Sequence, residues 1–596
     1  MSATKSQEGN AAVDDAFKAP NQPYDVNDPS SGDDSDDKAL AEMGYVPVFK
    51  RHFSMWSCFS FALSISGLFG TVMTTFSYPL SAGGAASAIW CWMIAGIGAL
   101  CLALSIAEIA SAYPTSGAMY FTIKYLAPPH AVPVVAWIDG WLNLIGQICG
   151  SASSAYGAAQ MLLAAVSIGT DFTYYPTQGH VIAVMAGLSL VHASLNSLTT
   201  NWLNRFANTY AVIHISVLLA ACIALLVMQK DKHSAHYAFT NVEPDSGWTP
   251  PGFSFLFGFL SVAWTMTDYD ATAHIAEEAK DPARVVPKAI ATALTFTYVA
   301  GWLFNIVLVF CMGDPAAILA SPIGQPVAQI YYNVIGKGGA IFFTIAAFLI
   351  MNFVCITAMQ AGARTVWAFS RDQMLPGSRI WYRIWSVSDT PVLAVWLYAL
   401  ICVLINLIGL GSYITISAIF NVCAIALDWS YCIPILCKLF FGKFEKGPWN
   451  LGRASVFVNT WACCWTAFVS VIFLFPTVMP ARADNMNYAV VILAFVFILA
   501  TSYWFIQGRF YYTGPRTHAH VAGGVIVRED SDDNGNDPEK SAARTAGAAG
   551  LHRRNVAELQ TNSRDVPVTE LPGNVQNVSE LPNDARVHEL SGNPDE

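Results

Sequence analysis

The feature that most constrains this 596-residue chain is a succession of twelve apolar runs almost free of charge. Each is long enough, at roughly 18 residues or more, to cross about 30 Å of hydrocarbon as a helix. The runs fall at about 55–79, 85–111, 132–166, 180–199, 206–228, 253–276, 286–312, 328–362, 391–409, 412–439, 455–479 and 487–508. Composition agrees, with 54% hydrophobic and 12% charged residues, against a charged share of about 25% in soluble domains. The expected fold class is an all-α membrane protein of about 12 transmembrane helices. A net charge of −10 with no basic patch excludes a nucleic-acid partner.

The charge sits at the ends. Residues 1–50 hold ten Asp and Glu against four Lys and Arg, and residues 517–596 hold fourteen against seven, which leaves 51–516 at +3. The chain therefore reads as a disordered N-terminal tail (1–50), a twelve-helix membrane domain (51–516) and a disordered acidic C-terminal tail (517–596). Lys and Arg number thirteen in the even-to-odd connections and four on the opposite side, which predicts cytoplasmic termini. With a polar first fifty residues, the first membrane helix is expected to direct insertion itself. All thirteen cysteines lie in or beside the apolar runs, as small core residues rather than loop disulfides. Four related tetrapeptides in the C-terminal tail begin at Val556, Val568, Val578 and Val587. They read as products of tandem duplication or as docking motifs for a trafficking partner. Lys5, Lys18 and Lys38 in the N-terminal tail are open to modification by ubiquitin-ligase machinery.

Two runs are interrupted. The first reads Ala62-Leu-Ser-Ile-Ser-Gly-Leu-Phe-Gly70, and the sixth reads Ala263-Trp-Thr-Met-Thr-Asp-Tyr-Asp-Ala271. Interrupted helices at matching positions of two five-helix halves point to a transporter binding site, because unwound backbone is tolerated at that depth only against protein or a wet cavity. Small residues alone serve helix packing equally well, but carboxylates at mid-span are costly and functional by default. Asp268 and Asp270 can cap the half-helix that follows or contact substrate or proton directly. Trp264 suits either a gate over a ligand or ordinary packing.

The stretch from Trp264 to Ile290, which contains Asp268-Tyr-Asp-Ala-Thr-Ala-His-Ile-Ala-Glu-Glu278, closely resembles fungal amino acid permeases of the amino acid–polyamine–organocation superfamily. The branch is the one that holds GABA permeases and choline transporters. Ala107-Glu-Ile-Ala-Ser-Ala-Tyr-Pro-Thr-Ser-Gly117 and Ser370-Arg-Asp-Gln-Met-Leu-Pro376 resemble two further motifs of that branch, and the likeness covers about residues 45–515. It implies the five-plus-five inverted repeat of the leucine transporter, with helices 1 and 6 broken, and secondary transport usually driven by protons. By position, Ser66, Gly67 and Leu68 would offer N–H groups to a substrate carboxylate, and Trp264 and Thr265 would offer carbonyls to an amine. Ser66-Gly67-Leu68-Phe69 and Ser116-Gly117-Ala118-Met119-Tyr120 depart from the GABA permeases, so the substrate is not inherited from them.

Further candidates concern gating and protons. Glu277 and Glu278 could pair near Arg364 or Arg371 as an inner gate, or form a solvated loop of charges. The resemblance favours an inner-gate role for Glu108 over an interfacial one. His214 in the fifth run could link protonation to transport or simply pack. Asp428 in the tenth run could carry a proton or bond between helices. Neither a Walker loop nor HExxH, GxSxG or CxxC occurs, so no enzyme, metal or cofactor is expected.

The expected function is a proton-coupled importer of an amino acid or GABA-like zwitterion, in the plasma membrane or, failing that, the vacuolar membrane. Alternatives are a carrier for choline, a polyamine or another small organic cation, and a non-transporting nutrient receptor. The expected partners are the small-molecule substrate, protons, membrane lipid and trafficking machinery on the tails.

Overall fold

In a computed structural model, residues 17–18, 24–25, 34–45, 47, 49–410, 413–442, 444–482, 485–515, 519–522 and 525–528 are described. The chain divides into Met1–Glu529 and Asp530–Glu596. The second unit lies outside the described residues, and with it the four C-terminal tetrapeptides; Lys5 lies outside them too.

The described chain is all-α in architecture. Among the described residues, eleven helices are long and apolar enough to cross a membrane: Met55–Thr75, Ser77–Ala112, Val132–Gly169, Gln178–Asn196, Thr200–Met228, Pro282–Cys311, Lys337–Arg371, Val392–Leu410, Ser417–Phe441, Gly452–Ile472 and Ala489–Tyr511. The place of the sixth run is taken by the shorter Pro251–Thr265. Counted in order these are spans 1 to 12. Their burial is graded: 94% of the apolar window of span 1 is inside the protein, against 11% for span 12. Span 1 is therefore an axial helix and span 12 a lipid-facing one.

Backbone chemistry sets the span boundaries. Ser77–Ala112 is interrupted by non-helical backbone at Gly83 and Gly84, so its long second helix begins at 85, where the apolar run does. Span 8 begins at Lys337 rather than 328: Gly336, at φ 84°, separates it from a shorter helix, Pro326–Ile335. It then runs on to Arg371, so that Arg364 and Arg371 belong to the helix and not to a connection.

The two broken spans cross antiparallel. The half-helix Leu68–Thr75 packs on Phe259–Thr265, and Met55–Ser66 packs on Ala271–His274. Thr75 Oγ1 and Ser261 Oγ lie 2.7 Å apart at the first of these contacts. Such a crossing brings both breaks to one depth.

The N-terminal tail boundary also needs correction. Asp34–Glu42 forms a helix, and Leu40, Tyr45, Phe49 and Phe53 are buried. Arg51 bonds the Asp37 carboxylate at 2.9 Å and the Ala279 carbonyl at 2.9 Å. Asp36 Oδ2 accepts from the Asp281 N–H at 2.8 Å, and Glu278 O accepts from the N–H groups of His52 and Phe53. The acidic run read as tail thus supplies acceptors that strap residues 36–53 to the connection after span 6. Short antiparallel pairings involve the ends as well: Phe17–Lys18 with Ile384–Trp385, and Tyr24–Asp25 with Val525–Arg528, which also pairs with Ala519–Ala522.

Candidate substrate and gating site

At the first break, Gly67 sits in the left-handed region (φ 49°, ψ 34°) between Met55–Ser66 and Leu68–Thr75. This glycine is required twice over, since a Cβ there would lie 2.2 Å from Val354 Cγ2. The half-helix from Leu68 has no side-chain cap, so its first N–H groups remain available to an anionic group. The Thr71 hydroxyl donates back across the break to Ser66 O at 2.9 Å. Ser64 Oγ and Ser66 Oγ are buried without a partner.

At the second break, the helix ends at Thr265, and Asp268 takes a positive φ of 58°. Thr265 Oγ1, Thr267 Oγ1, Tyr269 OH and Asp268 Oδ1 are buried without partners. Trp264 donates from Nε1 to Ser153 Oγ at 3.0 Å and packs on Phe420 with ring centroids 4.6 Å apart. Both breaks thus present polar groups that the protein itself leaves unsatisfied, and an uncompensated buried polar atom is expensive. None of Ser66, Trp264, Thr265, Thr267 or Asp268 is more than 6% exposed, so this arrangement is closed to water.

Asp270 differs from the expectation. Its side chain makes no capping bond to Ala271–His274, and it does not stand free for a ligand. Oδ2 accepts from Asn143 Nδ2 at 2.9 Å and lies 3.3 Å from His274 Nε2, while Oδ1 accepts from the Tyr431 hydroxyl. Backbone provides the cap instead: Asp270 O accepts from the N–H groups of Ala273 and His274.

On the N-terminal face, two buried ion pairs lie below the second break. Arg364 Nε bonds Glu278 Oε1 at 2.7 Å with both side chains fully buried, and Arg371 Nη1 lies 3.3 Å from Glu277 Oε1. Glu277 also accepts from the Ser116 N–H at 3.0 Å. Tyr45 covers this layer: Arg371 stands 3.5 Å over its ring and its hydroxyl donates to Asp372 at 3.3 Å. Burial, reinforced by the Asp372 carboxylate, raises the Tyr45 phenol well above its ordinary value, so it stays a donor. These glutamates are therefore not a solvated loop.

Glu108, His214 and Asp428 are placed differently. Glu108 is bound by Lys438 Nζ at 2.5 Å, Ser455 Oγ at 2.7 Å and the Leu451 N–H at 3.1 Å, which ties span 2 to spans 10 and 11. It makes none of the contacts of the Glu277 and Glu278 layer. His214 is buried beside Phe353 of span 8, with ring centroids 6.0 Å apart and neither ring nitrogen partnered. Asp428 is 6% exposed, one turn before Tyr431. A separate cleft of about 730 Å³ between spans 3, 9 and 12, lined by residues such as Ile148, Ile401 and Phe495, is apolar and offers an amino acid nothing to bind.

Residues 53–497 match the family model described as amino acid permease. The chain belongs to the amino acid permease family. This permease is similar to Amino-acid permease 2 of Neurospora crassa, 57% identical over 500 residues that cover 84% of this chain and 92% of the relative. An uncharacterized amino-acid permease of Schizosaccharomyces pombe is 60% identical over 490 residues, covering 82% and 90%. Amino-acid permease BAT1 of Arabidopsis thaliana is 30% identical over 498 residues, covering 81% and 96%. The permease is thus an integral multi-pass membrane protein of a transporter family.

Polar side chains of span 3 adjoin the second break, where Asn143 bonds Asp270. Span 3 carries Asp139, Asn143 and Gln147 at four-residue spacing, which puts them on one helix face. Gln147 Nε2 donates to Asn143 Oδ1 at 3.1 Å. Asp139 is fully buried with neither oxygen partnered. That polar stripe in an apolar run was a readable signal; the contributions of Tyr431 and His274 to it were not.

The Glu108 cluster supports a test of its own. Replacing Lys438 with Met removes the cation that bonds Glu108 among the described residues and leaves the charge buried, a change that costs about 3–5 kcal/mol when a buried pair is broken. Thermal unfolding in detergent should report the loss, while the KM of the remaining transport stays that of the parent.

Proposed function

We propose that the protein is a secondary active transporter that imports an amino acid or GABA-like zwitterion by proton symport with alternating access. The observation that carries this reading is the pair of breaks at one depth with unsatisfied groups of opposite preference. N–H groups of the half-helix after Gly67 hold the substrate carboxylate. The Thr265 carbonyl and Asp268 hold its amine. The ion pairs Glu277–Arg371 and Glu278–Arg364, with Tyr45 beneath, close the cytoplasmic side, and both termini lie in the cytoplasm of a cell that imports across its plasma membrane. An organic cation is disfavoured by Asp270, whose oxygens already bind Asn143, Tyr431 and His274. This leaves one carboxylate, not two, for a cation.

The test is labelled uptake in cells stripped of their own permeases, with GABA, neutral and basic amino acids, choline and a polyamine at acidic and near-neutral pH. Concentrative uptake of a zwitterion that collapses with an uncoupler is the expected result. Uptake of choline or polyamine alone would move the contacts to Asp268 and defeat the carboxylate model. Binding to membranes without accumulation would replace the carrier with a receptor.

A further inference from the structure

The hydrogen-bond inventory around His274 specifies where hydrogens must be. Nδ1 lies 2.9 Å from the Ser116 carbonyl, which can only accept, so Nδ1 carries a hydrogen. Thr365 Oγ1, 3.1 Å from the same nitrogen, gives its own hydrogen to Ala361 O at 3.1 Å and is a second acceptor. Nε2 faces Asp270 Oδ2 at 3.3 Å. That carboxylate is already ringed by donors. Tyr431 donates to Oδ1, and Asn143 donates to Oδ2 in an orientation set by Gln147, which occupies Asn143 Oδ1. An oxygen pair surrounded by donors is a carboxylate, so Nε2 carries a hydrogen too.

We infer that the buried His274–Asp270 pair is the proton-binding site of this carrier, holding one proton more than a neutral imidazole beside a carboxylate. The inference rests on the symport reading above and names its site. His274 and Asp270 are 1% and 0% exposed, so the proton has no contact with water in this arrangement. Among the described residues, the charged and titratable groups about the pair are Asp268 and Tyr269 from the same break, Asp139 from span 3, and Cys423 and Tyr431 from span 10. The Glu277–Arg371 pair is linked to it through Ser116, whose N–H bonds Glu277 while its carbonyl bonds His274.

That shared residue couples the gate to the proton. When Glu277 leaves Arg371 as the cytoplasmic side opens, it draws on Ser116 and withdraws the carbonyl from Nδ1. A ring N–H then faces cytoplasmic water. The N–H bond breaks, its electron pair stays on nitrogen, the proton passes to water, and a neutral imidazole remains. Return of the empty carrier outward reloads it from the external side.

The experiment uses the full-length protein in lipid bilayers, with histidine rings labelled with nitrogen-15, observed by solid-state NMR at neutral pH. The expected spectrum contains one doubly protonated ring, shielded from an aqueous paramagnetic agent and missing in His274→Gln. The other buried imidazoles, His192 and His214, serve as neutral references. A spectrum in which every shielded ring is neutral overturns the inference, and it does so even if His274→Gln fails to fold. In proteoliposomes, the ratio of His274→Gln uptake with an inward proton gradient to uptake without one should fall at least tenfold below the parent's ratio. Gradient-driven uptake by the variant that equals the parent's also overturns it. A parent that moves substrate without protons would sink symport itself, a result distinct from either.

Discussion

Arg364→Met should leave little folded protein in the membrane, and Glu278→Gln should rescue it. Arg364 and Glu278 are completely buried and joined at 2.7 Å. Removing one charge strands the other in a medium that cannot solvate it, at a cost of about 3–5 kcal/mol, a large share of the stability of most domains. The double variant has no stranded charge. Replacing both members of a buried pair is often close to neutral, so its thermal stability should return to within about 1 kcal/mol of the parent. Arg364 Nη1, Nη2 and Glu278 Oε2 already lack partners, which makes the pair a poor stabiliser for its depth and suits it to separate. The double variant should therefore fold but leak: substrate exchange persists while concentrative uptake declines. A double variant as unstable as the single one would show that the pair is structural in another sense. Melting curves of the three purified proteins decide between these outcomes.

Gly67→Ala should abolish uptake almost entirely. The backbone here holds a left-handed φ of 49° that costs an L-residue about 1–2 kcal/mol, and the alanine Cβ would stand 2.2 Å from Val354 Cγ2, far inside van der Waals contact. Span 8 must move, or the break must rewind, and rewinding would spend the free N–H groups in helix hydrogen bonds. Adding Val354→Ala removes the collision but not the backbone strain. Uptake by the pair should thus recover in part, with KM raised more than the maximal rate is lowered. Full recovery would mean that only the collision matters; none would place the requirement wholly in the backbone. Initial rates over a range of substrate concentrations, normalised to protein in the membrane, separate these cases.

What could be read from the chain alone divides along physical lines. Twelve spans were visible because crossing hydrocarbon is a local demand on composition, and both breaks were visible because Gly67, Asp268 and Asp270 violate that demand in place. The role of Asp270 was not. Whether a carboxylate caps, binds a ligand or joins a network depends on Asn143 and Tyr431, 127 and 161 residues away, beyond the reach of any local pattern. His274 was hidden for a different cause: it sits in a quoted motif but looks, by spacing, like any residue at the end of a short helix. The N-terminal segment was misjudged because acidic, Ser-rich composition signals solvation unless a partner supplies donors. The Asp281 N–H and Arg51 do supply them.

The docking of that segment sets an order on biosynthesis. Tyr45 meets Asp372 across 327 residues of chain, so a ribosome adding about 5–20 residues per second leaves Tyr45 waiting for roughly 16–65 s before that partner is made. During that interval Leu40, Tyr45 and Phe49 have nowhere to go. A nascent chain is thus marked as unfinished at its own beginning, and the mark disappears only when the helix that ends at Arg371 is in place.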